Sequence, residues 1–539
     1  MAEEKLLIKN GYVVDGSGEA GREADLLVEA REIIEIAPGL SKKCDEAKVI
    51  DASGLVVAPG FIDIHSHSDL SLLEDGRGLS KSYQGVTTEV VGNCSLGPAP
   101  VTEENRQEVK NTFSYLAAEV DWDWTDYEQY LQRLQGSDVA LNLCPLAGYG
   151  NIRAAVNGFQ RGELPPEQLS KARELLDEVM RLGARGLSVG LVYIPCCYAE
   201  LQELVLMARV LKSHDGLFAA HLRNEGHKLL EALDEIITVM RASGVRTEIS
   251  HLKAAGKPNW GLAREAAEKI YELRDQGWEL GFDLYPYLVG STYLSALLPR
   301  WAREKGREGL TEILSDSDLR SKIKQALDRG SDDWPGYPGP GALRPEGIKI
   351  GSVASSNNQN LVGRSVTEIA EQRGAAPWDC FLDLLLEEQG QIIGLYEYMD
   401  EADVEYLYST PAAAVGSDGL AIPPEGHWLK TRPHPRYYGT FPRFLRRYVR
   451  EKKLMTLEEA VRRITSIPAD RLGLKNRGRL QPGLRADVVI FDPQAITDQA
   501  TYDDPHRLSR GIEYLFVNGE AIIYNGSSSK KFPGQLLLK

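Results

Sequence analysis

Apolar positions along this chain fall into two rhythms. Residues 1–58 carry short runs of aliphatic and β-branched residues, "KLLIKNGYVVDGSG", "ADLLVEAREIIEIA" and "AKVIDASGLVVAPG", each broken by turn-forming residues. That pattern predicts strands. The far end repeats it in "ADVVIFDP" and "IEYLFVNGEAIIYNG" before turning Pro- and Gly-rich. Together the ends predict a small β-sandwich domain, 1–58 plus 475–539. The stretch between them, 59–474, repeats a different unit: a short apolar strand that ends in polar residues and is followed by a helical stretch. Eight strands are expected, "GFIDIHSH", "GVTTEVVGNC", "VALNLCPLAG", "ARGLSVGLVY", "LFAAHL", "RTEISHL", "LGFDLYPY" and "AAAVGSDG". Alternating β and α elements impose a parallel sheet, and eight units fit an α/β fold of the (β/α)8 TIM-barrel type, with its active site at the C-terminal strand ends. Over 100 residues separate the seventh strand from the eighth, including "SDDWPGYPGPGALRPEG" at 331–347. So long a connection predicts an inserted, lid-like subdomain at about 292–345.

Composition narrows the function classes. With 42% apolar and 26% charged residues, the chain belongs with soluble globular proteins. A net charge of -16 argues against nucleic acid as a general partner. The basic run "FPRFLRRYVREKK" (441–453) is expected to be a solvated helix face. Six cysteines with irregular spacing, apart from the adjacent Cys196 and Cys197, form no disulfide framework and fit a reducing compartment. The start, "MAEEKLLIKNGYVVDG", has acidic residues where a signal peptide needs basic ones, and no segment reaches the roughly 20 apolar residues of a membrane helix. A cytoplasmic location without a membrane partner is expected; oligomeric state is not legible.

Candidate chemistry sits at the strand ends. Only nine histidines occur in 539 residues, yet "GFIDIHSHSD" holds two of them, His65 and His67, at i and i+2, on one side of a strand. Cys94 closes the second expected strand, His221 the fifth, His251 the sixth and Asp418 the eighth. Imidazole and thiolate are zinc ligands, and catalytic zinc keeps one position open for water. Unrelated core residues would require a coincidence at each strand.

These motifs, set between β-rich ends, resemble the amidohydrolase superfamily. More narrowly, "GVTTEVVGNCSLGPAP", "HLRNEG", "ISHLKAAG", "FDLYPYLVGST" and "HPRYYGTFPR" are similar to the N-acyl-D-amino-acid deacylase (D-aminoacylase) family, over nearly the whole chain. The resemblance implies a tightly held zinc on Cys94, His221 and His251, with His65 and His67 at a second, weaker metal position. It also implies that Lys253, Tyr285, Ser291 and Arg436 hold the α-carboxylate of a small N-acyl amino acid substrate. Asp418 is then the general base that takes a proton from zinc-activated water, and the acid that returns it to the leaving nitrogen. The expected reaction is zinc-dependent hydrolysis of N-acyl-D-amino acids to a carboxylate and a free D-amino acid. Hydrolysis of cyclic amides, dipeptides or N-acyl-L-amino acids, and a non-catalytic scaffold of the same fold, are the alternatives. Cys196 and Cys197 depart from the family's glycine-containing pattern and receive no role.

Overall fold

The computed structural model describes residues 5–40, 47–112, 118–304, 306–329 and 342–539. Eight parallel strands form its centre: β1 Phe61–Asp63, β2 Val86–Val91, β3 Asn142–Pro145 with its continuation Ala147–Gly148, β4 Gly186–Gly190, β5 Leu217–His221, β6 Arg246–Ile249, β7 Leu280–Leu284 and β8 Ala413–Val415. β1, β2 and the first half of β3 make one sheet; the second half of β3 begins another, which runs through β4, β5, β6 and β7 to β8. An isolated parallel bridge joins Ser66, just past β1, to Gly419, just past β8. β2, β4, β5 and β7 are buried along their whole length, as expected for parallel strands covered on both faces.

The helices between strands show why the chain packs this way. Leu262–Asp275, between β6 and β7, buries Ala263, Ala266, Ala267, Ile270 and Leu273, one stripe at helical spacing in which three alanines allow close approach to the strands. Leu229–Ser243, between β5 and β6, stops at Gly244, whose φ of 70° suits a left-handed C-terminal cap.

The two ends of the chain share one nine-stranded sheet. Val488–Phe491 runs antiparallel to Val56–Pro59, and this pairing joins the late strands Ile512–Val517 and Glu520–Tyr524 to the early strands Lys5–Val13, Arg22–Glu29 and Glu32–Ala37. Residues 534–539, grouped with this sheet by sequence, bond elsewhere. Leu143 N–H donates to Gln535 O at 2.9 Å, Leu537 N–H to Leu143 O at 2.7 Å, and Lys539 N–H to Gly183 O at 2.9 Å. Leu537 thereby joins an apolar cluster with Ile62, Val90, Cys144, Leu217 and Ala414, contributed by five of the parallel strands. Leu537→Ala is expected to cost about 2–4 kcal/mol of stability, the usual range for a truncated core leucine, measured as a lower denaturation midpoint at unchanged metal content.

The connection between β7 and β8 holds more than the expected 292–345. Its strands Val289–Tyr293, Ile348–Val353 and Ile392–Glu397 form an antiparallel sheet with the last in the middle, beside helices that include Pro377–Glu387, around an apolar core of its own. The bounds move outward because Val289–Tyr293 pairs with a strand a hundred residues later. Residues 330–341, most of the Gly/Pro-rich segment, lie outside the described residues.

The basic run at 441–453 is docked rather than solvated. Arg443 and Arg446 pair with Asp498 at 3.2 and 2.9 Å, Arg447 pairs with Glu401 at 2.8 Å, and Lys452 meets Glu405. Acidic partners from distant segments claim the charges, which local spacing does not show. No helix among the described residues is long and apolar enough to cross a membrane.

Candidate metal centre and substrate pocket

Every metal-ligand candidate comes to the same end of the parallel strands. Ser66 N–H donates to Val90 O at 3.1 Å, which holds the chain beyond β1 alongside β2, and the rings of its two neighbours, His65 and His67, have centroids 5.4 Å apart. Cys94 Sγ lies 3.2 Å from His65 Nε2 and 3.5 Å from His251 Nε2. Asp418 Oδ1 is 3.0 Å from His67 Nε2 and 3.6 Å from His65 Nε2. His221 and His251 pack edge to face with ring centroids 4.4 Å apart. Three donor groups result: His65, Cys94 and His251; His65, His67 and Asp418; and His221, Glu225 and His251. Cys94 is thus grouped with His65 and His251, and His221 with Glu225 and His251.

Two acidic residues beside these ligands, Glu225 and Asp283, were not among the candidates read from the sequence. Glu225 Oε1 sits 3.0 Å from His251 Nδ1 and 2.5 Å from Lys253 Nζ, and its other oxygen 3.8 Å from His221 Nε2. It stands four residues after His221 in "HLRNEG", and that spacing was its only available clue. Asp283, the penultimate residue of β7, lies 3.4 Å from His65 Nδ1 and accepts a bond from His251 N–H at 3.1 Å. A carboxylate behind an imidazole fixes its tautomer and the direction of its free nitrogen.

The proposed carboxylate-binding residues line the pocket above this cluster. Arg436 Nη1 is 3.0 Å from Asp418 Oδ2, and its guanidinium lies 4.7 Å from the ring centroid of Tyr285. Lys253, Tyr285 and Ser291 share the lining with Leu96, Val192 and Tyr193. Ser291, with Thr292, Ile393 and Tyr398, brings the β7–β8 insertion into the wall. Lys253 is already committed to Glu225 and to His251 Nδ1, 2.8 Å away. Tyr193, which sequence reasoning passed over, meets the His221 ring edge to face with centroids 5.2 Å apart and bonds through its hydroxyl to Thr292 Oγ1 at 3.1 Å. Cys196 and Cys197 lie in a short buried turn after β4, and burial pushes both thiols up.

Charge within the cluster is balanced by opposition. Burial opposes ionisation of Cys94, yet the charges of His65 and His251 outweigh it and hold the thiol well below its ordinary value. Burial likewise opposes ionisation of Asp418, but Arg436, His251 and His67 keep it well below the usual carboxylate range. Glu225 is held down at about 2 against its own burial, first by Lys253 and then by His221 and His251. His67 rises to about 9 because bonding to Asp418 and Cys94 overcomes its burial.

The residues fit a divalent metal. Both ring nitrogens of His221 are buried without a hydrogen-bond partner among the described residues, an expensive arrangement unless something else meets them. The surrounding thiolate, imidazoles and carboxylates are the ligand set zinc prefers. Backbone strain collects here as well: Cys94, Ser95, His251 and Asp418 have φ of 55°, 62°, 36° and 49°. Left-handed conformations cost a non-glycine residue on the order of 1–3 kcal/mol each and persist where surrounding structure over-determines them, often at functional sites.

Comparison with known proteins identifies the family. A model described as the amidohydrolase family matches residues 48–523. The D-aminoacylase of Alcaligenes xylosoxydans xylosoxydans is 34% identical, over 99% of this chain and 97% of its own. The crystal structure of an N-acyl-D-glutamate deacylase from Bordetella bronchiseptica, complexed with zinc and a phosphonate mimic of the tetrahedral intermediate, superposes with a TM-score of 0.83 at 31% identity, covering both chains completely. A D-aminoacylase structure described with a binuclear metal centre gives 0.81 at 31% identity over 99% of both chains. The chain belongs to the amidohydrolase family, on its D-aminoacylase branch.

Proposed function

We propose that this chain hydrolyses the amide bond of N-acyl-D-amino acids, releasing a carboxylate and a free D-amino acid. The observation that carries the proposal is the juxtaposition of a buried thiolate–imidazole–carboxylate cluster with an Asp418–Arg436 pair facing one pocket. Zinc bound there would lower the pKa of water toward neutrality and polarise the amide carbonyl. Cys94, His221 and His251 are assigned to a tight zinc, and His65 and His67 to a second, weaker position; Glu225 stands close enough to His221 and His251 to share in either.

The chain's own groups supply the rest. Asp418, held ionised, accepts a proton at one carboxylate oxygen and returns it to the departing nitrogen, because an amine anion is too poor a leaving group. Arg436 offers a planar fork to the substrate α-carboxylate, Lys253 adds positive charge, and the hydroxyls of Tyr285 and Ser291 complete the clamp. Tyr193, beside His221, is placed to donate to a developing oxyanion.

We read the eight parallel strands as a (β/α)8 barrel spanning 59–474. The β1–β2–β3–β4 to β8 pairings and the Ser66–Gly419 bridge support a closed ring. The nine-stranded sheet is read as the small β-sandwich domain built from 1–58 and 475 onward, with 534–539 crossing back beneath the barrel. The direct test offers zinc-loaded protein N-acetyl-D- and N-acetyl-L-amino acids. Turnover confined largely to the D series is expected; no turnover of any D substrate would remove the assignment.

A further inference from the structure

Behind the two loops that carry His65, His67 and Asp418 lies a lysine with no exposed surface. Lys81 Nζ sits 2.6 Å from Asp63 Oδ2, 3.0 Å from Glu89 Oε1 and 2.6 Å from Ser417 Oγ, and all four side chains are fully buried. Its short helix, Leu79–Ser82, also anchors the chain after Asp418, since Ser80 Oγ donates to Leu420 O at 3.2 Å and accepts from Ile422 N–H at 3.0 Å.

From Lys81 the bonds run forward to Asp418. Asp63 Oδ1 accepts the N–H groups of Ser417 at 2.9 Å and of His65 at 3.3 Å. Ser417 Oγ accepts from Lys81 and from Gly419 N–H at 3.1 Å, and donates to His65 O at 3.3 Å. Asp418 N–H donates to the same His65 O at 2.8 Å. Both neighbours of Asp418 are therefore tied to one hydroxyl, and that hydroxyl is oriented by the buried ammonium. Asp418 itself is left-handed, with φ of 49°, and needs such restraint to stay so.

A buried ion cluster of this kind adds little net stability, because desolvation of its charges consumes much of their attraction. Its product is geometry. We propose that Lys81 and Ser417 are positioning residues, which hold Asp418 at the distance and angle its proton transfers require. This rests on the deacylase reading above, and the experiment separates the two.

Ser417→Ala removes one hydroxyl and no charge, and is compared with the unsubstituted protein, both zinc-loaded. The expected result is a fall in kcat of about 10- to 100-fold, the scale of a misplacement near 1 Å, with KM changed by less than about twofold and bound zinc unchanged. Adding Lys81→Met should cost little beyond the larger single effect, because the two residues act on one element. A Ser417→Ala protein with undiminished kcat, or one that loses zinc or raises KM in step with its lost turnover, overturns the proposal. Should Lys81→Met fail to fold, the Ser417 comparison decides alone. Should the unsubstituted protein turn over no D substrate, the deacylase reading fails instead. A crystal structure of Ser417→Ala then decides the positioning role: Asp418 unmoved overturns it, and Asp418 released from the left-handed conformation upholds it.

Discussion

Asp418→Asn is expected to leave zinc content and thermal unfolding close to those of the unsubstituted protein while lowering kcat about 10³-fold, within the range for loss of a positioned acid–base group. An asparagine fills the same space and can still meet His67 Nε2, which lies 3.0 Å from the carboxylate oxygen. It cannot accept a proton and return it. The behaviour of KM distinguishes this account from simple damage to the pocket. Asp418 Oδ2 now holds Arg436 Nη1 at 3.0 Å and so competes with any substrate carboxylate for that guanidinium. Removing the charge frees Arg436 for the substrate, and KM should stay level or fall. Steady-state kinetics on an N-acyl-D-amino acid, with elemental analysis of the same sample, gives both readings. A kcat within tenfold of the unsubstituted value would require another base.

The strand ends were legible because chemistry interrupts a simple pattern there. A histidine or cysteine closing an apolar run, as in "LFAAHL" or "EVVGNC", stands out against the aliphatic residues before it. Residues that support those ligands have no such contrast. Asp283 lies inside β7 and reads as a polar break in a strand until the fold brings it to His65. Lys81 lies in a four-residue helix and reads as a surface charge, although it is wholly buried among Asp63, Glu89 and Ser417. Its partners are 18, 8 and 336 positions away, separations to which no helical or strand period applies. The insertion's own strands show the same limit: "IKIGSV" and "IIGLYE" are short apolar runs with no mark of the sheet they join. Only their antiparallel pairing sets them apart.

A second cost of the site is stored in its backbone. Four of its residues sit in left-handed conformations, and three of these, Cys94, His251 and Asp418, are candidate ligands or the candidate base. Each directly follows the end of a strand or lies within a few residues of it, at the point where the chain must turn outward while its side chain stays inside. The strain is tolerated because hydrogen bonds pin it: His251 N–H donates to the Asp283 carboxylate and Asp418 N–H to His65 O. Ligand direction is thus set before any cation arrives, which reduces the ordering that binding must supply.

Removing the metal should therefore destabilise the fold as well as end turnover. The donors are almost fully buried: His65 at 0% exposure, Cys94, His251 and Glu225 at 2%, and His221 at 5%. Without a cation, His221 finds no hydrogen-bond partner among the described residues for either ring nitrogen, and the remaining charges are set against one another. A cation that binds the folded chain alone adds about 4 kcal/mol when free metal is a thousandfold above its Kd. Exhaustive chelation is expected to lower Tm by several degrees and to abolish hydrolysis, and both should return on addition of zinc. Readings of Tm keep the test independent of activity. If the first zinc equivalent restores most of the Tm and the turnover, the tight position is the one that matters to both. A sample shown by elemental analysis to be metal-free, yet unchanged in Tm and still hydrolysing an N-acyl-D-amino acid, would mean that these buried imidazoles and the thiolate serve packing alone.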